Sequence, residues 1–482
     1  MTFCKKIYYC LVLTIVVANA NAQIDAVPQP VPTPSFSLKD SALKIQVRKI
    51  YIKGNRLTRF YIILREIQFK EGEYIIIKDL PNALQKARQQ VYNTTLFNEV
   101  KIEPIVISAY DIDVVVTVKE RWYIFPTPQF QLVDRNLNEW LVKYKGDLSR
   151  VNYGIKFVHY NLSGRKDPLR LYLINGYTRN INFSYSQPYS NRSLTQGFNI
   201  SGGFSQNREI PYKTSVNNKL QFYKTGDFVR NTTFATVGYR IQKAILDKHL
   251  FNITYVHIKV NDSIITTPYN PHYLNVNGTS IGFIDLNYSY QYADVNNISY
   301  PLTGVTGSVG ILKRGFGITG GINMFSVEGA YNKYWDLSKN WYGSIQLTGM
   351  IKLPFEQPFI NQQALGYGEA YLRGLEYYVV NGVAYGVVRS TLKKKIWSFS
   401  LPFPFKSKSH TSIPFTIYAK TFADAGFSYN KKKYDTYLNN RLLYTAGIGI
   451  DLLTFYDLNL RIEYSFNQLG ENGLFLHSGA GF

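Results

Sequence analysis

Near the C-terminus the chain reads Asp457-Leu458-Asn459-Leu460-Arg461-Ile462-Glu463-Tyr464-Ser465-Phe466, and this stretch decides the fold. Apolar and polar side chains alternate through all of it, which is typical of a β-strand with two different faces. In a membrane the apolar face would meet lipid, and Arg461 and Glu463 would face a water-filled lumen. A soluble β-sandwich strand alternates in the same way, so the remaining sequence must separate the two interpretations.

The N-terminus predicts export. Lys5 and Lys6 precede an apolar run that ends in small residues, which predicts a secretory signal peptide over 1–22, removed before Gln23. Alternating prolines then predict an extended linker over 23–43.

Both cysteines fall in the predicted signal peptide, so the mature chain is expected to contain neither cysteine nor disulfide. No later run of 18 or more apolar residues exists, and no transmembrane helix is predicted.

Composition and charge agree with a membrane barrel. The chain has 40 tyrosines and 30 phenylalanines but only 3 methionines, and aromatic girdles at two membrane interfaces use tyrosine heavily.

Without Lys5 and Lys6 the chain has 52 basic and 32 acidic residues, a net charge of +20. Such a charge indicates an anionic partner. No nucleic-acid-binding signature occurs, so we expect no nucleic-acid partner, and lipid phosphates or an anionic polypeptide fit better. Alternatively, lysine and arginine simply fill a wet lumen.

A small module is predicted over 44–121, in the order β-α-α-β-β. Apolar spacing predicts a strand from Ile45, helices over 58–69 and 80–96, and strands over 100–107 and 112–118. The second helix is amphipathic and should pack on the sheet.

The segment 122–482 predicts a barrel. Sixteen candidate strands begin near 122, 149, 168, 180, 195, 231, 249, 279, 303, 320, 341, 382, 413, 443, 456 and 474. An even number allows antiparallel closure, and long connections alternate with shorter ones as in bacterial barrels. The basic stretch 393–412 is an exception, since it predicts a long connection on the short-turn side. The predicted fold class is therefore mostly β: a sixteen-stranded antiparallel transmembrane β-barrel after one small β-α-α-β-β periplasmic domain.

The chain resembles the BamA and TamA type of outer-membrane assembly factors, which have periplasmic POTRA modules before a sixteen-stranded barrel. The module resembles a POTRA domain through Ile52-Lys53-Gly54-Asn55, Leu64-Arg65-Glu66 and Asn93-Thr94-Thr95-Leu96-Phe97-Asn98. In the barrel, Tyr371-Leu372-Arg373-Gly374 resembles the family's loop motif of an aliphatic residue, arginine, glycine and an aromatic residue. Leu375 departs from it, because the family has an aromatic residue there.

The resemblance implies a partner for Arg373 within Phe422-Ala423-Asp424-Ala425-Gly426 of the thirteenth barrel strand. Independently, a long loop folded into a lumen must be held in place, and an arginine can donate two hydrogen bonds to one carboxylate. Asp424 and Lys420 lie four residues apart and so share one face of the strand. A lysine is expected to face the lumen, so this face is the lumenal one. We expect Leu372, Arg373 and Gly374 to be held in the lumen by Asp424 and Gly426. Alternatively, Arg373 and Asp424 are unrelated lumenal charges.

The resemblance implies that the first and last strands pair weakly, so that a lateral seam can open between them towards lipid. Proline lacks a ladder donor and glycine weakens a strand. The seam residues are Pro126, Pro128, Gly473, Gly479 and Gly481, and the terminal Phe482 resembles the signal that assembly machinery recognises in barrel proteins.

The resemblance implies an outer-membrane assembly factor that inserts or translocates client barrels through this seam, after the POTRA module has received them. Implied partners are unfolded outer-membrane proteins and periplasmic lipoprotein accessories, and the positive charge of the chain adds lipid and lipopolysaccharide phosphates. The alternatives are a two-partner-type secretion pore and an anion-selective channel, in which the Arg373 loop would be a constriction. A third interpretation is a lipid-facing structural protein, with Lys431-Lys432-Lys433 on an outer loop that meets lipid phosphates. A charge run of this kind is more often merely solvated.

Enzyme motifs are weak. The six histidines are scattered without a zinc-protease pair, and no nucleophile elbow occurs. Gly315-Phe316-Gly317-Ile318-Thr319-Gly320 matches a dinucleotide fingerprint but has no helix after it, and a phosphate site needs that helix N-terminus. We therefore expect no catalytic residue, metal or cofactor.

Overall fold

The N-terminal module is a four-stranded sheet with two helices. In the computed structural model the described residues are 43–132, 145, 147–274, 276, 278–317, 321–402, 412–431 and 436–479. The predicted signal peptide and nearly all of the predicted linker lie outside them. The module comprises β1 (Lys44–Lys53), α1 (Phe60–Arg65), β2 (Tyr74–Ile76), α2 (Leu80–Tyr92), β3 (Phe97–Val106) and β4 (Asp111–Glu120). The sheet order is β2-β1-β4-β3, and β1 runs parallel to β4. Among the described residues, no helix has the length and apolar character needed to cross a membrane.

Both helices are shorter than the sequence predicts, because the chain turns to bury apolar residues. After α1, Ile67 and Phe69 enter the module core instead of extending the helix. After α2, Thr95 takes a φ of +63°, and the turn directs Leu96 inward. Strand β2 was not predicted, because three residues are too few to show an alternation.

The barrel wall is one antiparallel sheet of sixteen strands, which confirms the predicted fold class. Its strands are β5 (Ile124–Leu132), β6 (Val151–His159), β7 (Leu169–Gly176), β8 (Thr178–Gln187), β9 (Gln196–Asn207), β12 (Arg230–Ile241), β13 (Asp247–Val260), β14 (Ser280–Val295), β15 (Gly304–Arg314), β16 (Met324–Asp336), β17 (Trp341–Leu353), β20 (Ala384–Pro402), β21 (Ser412–Tyr429), β22 (Leu442–Leu453), β23 (Asn459–Asn467) and β24 (Asn472–Gly479). Neighbours in the sheet follow chain order from β5 to β24. Every predicted start lies within four residues of the observed one.

The two faces of the wall follow the alternation from which the barrel was predicted. In β23, Leu460, Ile462 and Tyr464 are exposed on the outside. Glu463 and Ser465 are buried on the inside, and each is 1% exposed. Because a soluble protein rarely exposes a continuous apolar band, this outer face is typical of a barrel surrounded by lipid.

The two ends of the barrel differ. At one end, called the module end, short connections contact the N-terminal module. They cover 160–168, 188–195, 242–246, 296–303 and 454–458. At the other, called the far end, long connections contain a hairpin of β10 (Glu209–Thr214) and β11 (Leu220–Lys224) and a short pair of β18 (Gln363–Leu365) and β19 (Val380–Asn381).

The prediction of a connection over 393–412 was wrong for much of its length. Residues up to Pro402 belong to β20, and β21 begins at Ser412, so that the two strands pair to their ends. Only the part between these strands lies outside the described residues. The error arose because a register shift between Lys395 and Trp397 interrupts the alternation.

Candidate functional site

The candidate site is the connection 354–383, which joins β17 to β20 and folds back into the barrel lumen. Its central residues pack with inward-facing side chains of the wall in one buried cluster, which includes Leu372, Leu375, Tyr385 and Val387. The loop therefore belongs to the interior of the barrel. Leu375, where the family has an aromatic residue, is buried there and only 4% exposed.

Arg373 contacts Asp424 as the sequence led us to expect. Its Nε donates to Asp424 Oδ2 at 2.9 Å, and its Nη2 donates to Oδ1 at 2.5 Å. The backbone N–H of Arg373 also donates to Oδ2, at 3.1 Å. The Asp424 side chain is fully buried. The bidentate hydrogen bonds from Arg373 therefore satisfy a carboxylate that water does not reach.

The rest of the guanidinium is also satisfied. Nη1 donates to Thr391 Oγ1 at 3.0 Å and Nη2 to the Ser390 carbonyl at 3.1 Å. The cation lies 4.0 Å from the ring centroid of Phe422, within the range of a cation–π contact. The loop arginine is thus held by both β20 and β21.

Two glycines permit this close approach. A Cβ on Gly426 would lie 2.8 Å from Leu372 Cδ1, so the strand leaves space for the loop leucine. Gly374 has a φ of +92°, and a Cβ there would lie 2.7 Å from Ser465 Cβ. A side chain at Gly374 would therefore be both strained and in collision.

The loop also contacts the last two strands, and the sequence analysis missed these contacts. Glu376 Oε1 lies 3.1 Å from His477 Nε2 on β24, and the Tyr377 and Phe475 rings are 5.3 Å apart. Further hydrogen bonds run from Asn467 Nδ2 to the Gly374 carbonyl (2.9 Å) and from the Tyr378 hydroxyl to Glu471 (2.6 Å). The exposed Leu474 and Leu476 are the signal that was available, because alternation then places Phe475 and His477 on the lumen side.

One group of side chains has the composition of a metal site. Glu376, Glu463 and His477 present ligand atoms within 4.8 Å of one another. However, the Lys420 ammonium lies 2.6 Å from Glu463 Oε1, and a cation already at this carboxylate opposes a second one. We assign no metal to the group.

The predicted seam residues lie at the two ends of the sheet. Pro126 and Pro128 are in β5, where they pair only with β6. Gly473 and Gly479 are in β24, which pairs with β23. Gly481 and Phe482 lie outside the described residues. Within those residues, no ladder joins β5 to β24.

The module is attached to the barrel by buried polar contacts. Arg121 Nη2 and Asp457 Oδ2 form an ion pair at 2.7 Å, with side chains 2% and 6% exposed. The Tyr92 hydroxyl and Asn297 Nδ2 donate to Asp457 Oδ1 at 3.0 and 2.9 Å. Burial, followed by the nearby Asp457 carboxylate, raises the pKa of Tyr92 to about 12, so its hydroxyl stays protonated and donates.

Replacing Arg121 by methionine is expected to loosen the module from the barrel. The change leaves the Asp457 carboxylate buried without its cation, and breaking a buried pair in this way costs about 3–5 kcal/mol. Tyr92 and Asn297 remain as donors, so we expect the lower end of that range. Limited proteolysis between the module and β5 should become faster.

The matched control is Arg48→Met, which removes an ion pair with Asp113 inside the module. It should leave proteolysis at the module–barrel junction unchanged. Equal cleavage rates in the Arg121→Met variant and the unmodified protein would show that the ion pair does not hold the module.

Comparisons with known proteins agree with this architecture. Residues 45–121 match the POTRA family model, described as a surface antigen variable number repeat. The crystal structure of BamA from Haemophilus ducreyi lacking POTRA domains 1–3 aligns over 90% of this chain and 84% of its own, with 17% identity and a TM-score of 0.52. CdiB from Escherichia coli aligns over 94% and 93% with 11% identity and a TM-score of 0.49, and CdiB from Acinetobacter baumannii over 90% and 73% with 12% identity and a TM-score of 0.47. The chain thus has a module that matches the POTRA family, followed by a barrel with the fold of BamA. The module is expected in the periplasm from the sequence, so the module end is called the periplasmic end.

Proposed function

We propose that this protein inserts or translocates client β-barrel proteins through a lateral seam between β5 and β24. The observation that carries the proposal is that the described residues of these strands end the sheet, each with a single neighbour. An unpaired strand edge binds an extended segment through backbone hydrogen bonds, whatever its sequence. Such binding suits a protein that handles many clients.

The loop supports this proposal because it connects the seam to the rest of the wall. Arg373 attaches it to β21, while Glu376 and Tyr378 attach it to the last strand and to the turn before that strand. A displacement of β24 must therefore break contacts with the loop or move it. We infer that the loop sets the position of the seam strand from inside the barrel.

The POTRA module provides a place for clients to arrive. Strand β3 is an edge of its sheet and pairs on one side with β4. An extended client segment can add to the other side of β3 by backbone hydrogen bonds. Strand β3 contains most of the strand that the sequence predicts over 100–107.

The alternative of a passive pore, either for secretion or for anions, is less well supported by this conformation. An apolar cluster covers the far end, with Ile210, Val229, Ile264 and Leu274 among its buried members. The tip of the β10–β11 hairpin is held by Asn218, which donates to the Val379 carbonyl and accepts from the Leu438 N–H. Conduction would require the apolar cluster, the β10–β11 hairpin and the lumenal loop to move.

Reconstitution separates the two functions. The mature protein is placed in liposomes, and insertion of an unfolded barrel client is followed by protease protection while conductance is recorded. We expect insertion without steady conductance. Steady anion conductance without insertion would establish the pore instead.

A seam test uses the expected absence of cysteine from the mature chain. Single cysteines on β5 are combined with single cysteines on β24, and oxidation should stop insertion in the pairs that crosslink. The same pairs under reducing conditions are the control. Full insertion by a crosslinked barrel would exclude the seam as the route.

A further inference from the structure

The β20–β21 hairpin extends beyond the rest of the wall at the periplasmic end. Strand β17 stops pairing with β20 at Lys394, and β22 stops pairing with β21 at Thr416. The ladder between β20 and β21 nevertheless continues to Pro402 and Ser412. The described residues 397–402 and 412–417 therefore form an extension, which we call the ribbon and which has only two strands beyond Thr416.

The two faces of the ribbon differ sharply in polarity. Residues directly opposite each other share a face, and the apolar pairs are Trp397–Ile417, Phe399–Phe415 and Leu401–Ile413. The other face has the pairs Ser398–Thr416, Ser400–Pro414 and Pro402–Ser412. The ribbon is thus amphipathic along its full length.

The apolar face is ordered but uncovered. The rings of Phe399 and Phe415 are stacked with centroids 5.2 Å apart, and Trp397 lies 4.7 Å from Phe399. Trp397 is still 61% exposed and Leu401 49% exposed. In water, such a surface would be a site of aggregation.

A register shift gives the apolar face its direction. Before the shift, Lys395 is opposite the buried, lumen-facing Tyr418. After it, Trp397 is opposite Ile417, which lies between lumen-facing neighbours and so points outward. The extra residue at Ile396 is a bulge, and it places Trp397 and its successors on the lipid side of the wall.

The ribbon starts where the membrane boundary is expected. Trp335 and Trp341, at the periplasmic ends of β16 and β17, are exposed on the outside, as in an aromatic girdle. The Lys394 ammonium lies 5.0 Å from the Trp341 ring. The apolar face then continues from Trp397 to Leu401, about 13 Å along the strand. A strand that simply ended in water would be polar here.

We propose that the ribbon lies in the periplasmic leaflet of the membrane, with its apolar face at the boundary between phospholipid headgroups and acyl chains. Its polar face would meet water and headgroups. The partner is lipid, because the apolar face continues the lipid-facing surface of the wall without a change of side. The mixture of tryptophan, phenylalanine and leucine with an adjacent lysine is that of an interfacial element.

In this position the ribbon would anchor one side of the barrel, at strands β20 and β21, to the membrane. The ribbon is built from β20 and β21, and Arg373 attaches the loop to the same two strands. An interfacial anchor would hold these strands at fixed depth while β24 moves. This role rests on the proposed function, whereas contact with lipid does not.

The test measures contact with lipid directly. The chain without residues 1–22 has no cysteine, so Leu401→Cys gives a single site for a fluorescent label. The protein is reconstituted into vesicles of phosphatidylethanolamine and phosphatidylglycerol with brominated acyl chains. Ser400→Cys, on the opposite face, is the matched control, and Leu460→Cys on the outer wall is the lipid-facing reference.

Bromine should quench the label at Leu401 about as strongly as the label at Leu460, and severalfold more than the label at Ser400. Phe399→Cys should repeat the result, and a heat-dependent shift in gel mobility verifies that each variant is folded. Equal quenching at Leu401 and Ser400, with ready access of aqueous iodide to both, would overturn the proposal. So would protection of Leu401 from iodide only after a periplasmic extract is added, because the partner would then be a protein.

Discussion

Replacing Arg373 by alanine is expected to release the loop 354–383 from the wall and to abolish client insertion. The Asp424 carboxylate, which is fully buried, would lose two side-chain hydrogen bonds and its only ion-pair partner among the described residues. Removing one member of a buried pair costs about 3–5 kcal/mol. The measurements are urea unfolding of the reconstituted barrel, followed by its heat-dependent gel mobility, and client insertion in the same vesicles.

The matched control is Lys431→Ala, because Lys431 and Glu356 also join this loop to the β21–β22 hairpin. Their ion pair is 2.8 Å long but exposed, with side chains 59% and 78% accessible. Exposed pairs contribute little to stability, so unfolding and insertion should not change. If Arg373→Ala also left both unchanged, the loop contact would be incidental to the function.

Two further variants separate charge from geometry. Arg373→Lys keeps the positive charge but cannot form bidentate hydrogen bonds with Asp424. Its free energy of unfolding should therefore lie between those of Arg373→Ala and the unmodified protein. Arg373→Ala combined with Asp424→Asn should cost less than the sum of the two single changes, because the uncompensated carboxylate is gone. If instead the double variant is as unstable as the sum, the two residues act separately.

The barrel was predictable because its signal is local and repeated. In β23 each outward side chain is followed by an inward one, and Leu460 and Glu463 show the expected exposure and burial. The approach of Arg373 to Asp424 was expected from the family resemblance and from the alternation that placed Asp424 beside Lys420 on the lumen side. No pattern within the loop itself would have identified the partner.

What remained unpredicted depends on contacts between distant segments. The contact of Glu376 with His477 joins residues 101 positions apart, and a sequence period cannot show which loop meets which strand. The ribbon was missed for a different reason. One extra residue at Ile396 reverses the alternation of faces along β20. A search for alternation in a single register therefore does not recognise the apolar face that follows.

A second buried charge network lies below the loop, across the inner faces of four strands. The Lys420 ammonium contacts Asp451 and lies 2.6 Å from Glu463 Oε1. Asp451 also accepts from the Tyr300 hydroxyl at 2.7 Å and lies 3.1 Å from the Lys393 ammonium. The side chains of Lys420, Asp451 and Glu463 are 2%, 0% and 1% exposed. The Lys420 ammonium therefore contacts two carboxylates that water does not reach, and Lys393 contacts one of them.

Lys420→Met is therefore expected to destabilise the barrel at least as much as Arg373→Ala. Methionine fills a similar volume but removes the charge, which leaves Glu463 without its lysine and Asp451 with Lys393 alone. We expect a loss of about 3–5 kcal/mol. The unfolding midpoint in urea, read from heat-dependent gel mobility in vesicles, should fall accordingly.

Lys394→Met is the matched control, since Lys394 belongs to the same lysine run as Lys393 but is exposed on the outside of the wall. Its unfolding midpoint should match that of the unmodified barrel.

The double variant Lys420→Met with Glu463→Gln should recover part of the lost stability, because it removes a carboxylate together with the ammonium. That recovery distinguishes charge compensation from packing: a cavity or collision introduced by methionine would persist in the double variant. A midpoint for Lys420→Met equal to that of Lys394→Met would mean that water or another cation already satisfies both carboxylates.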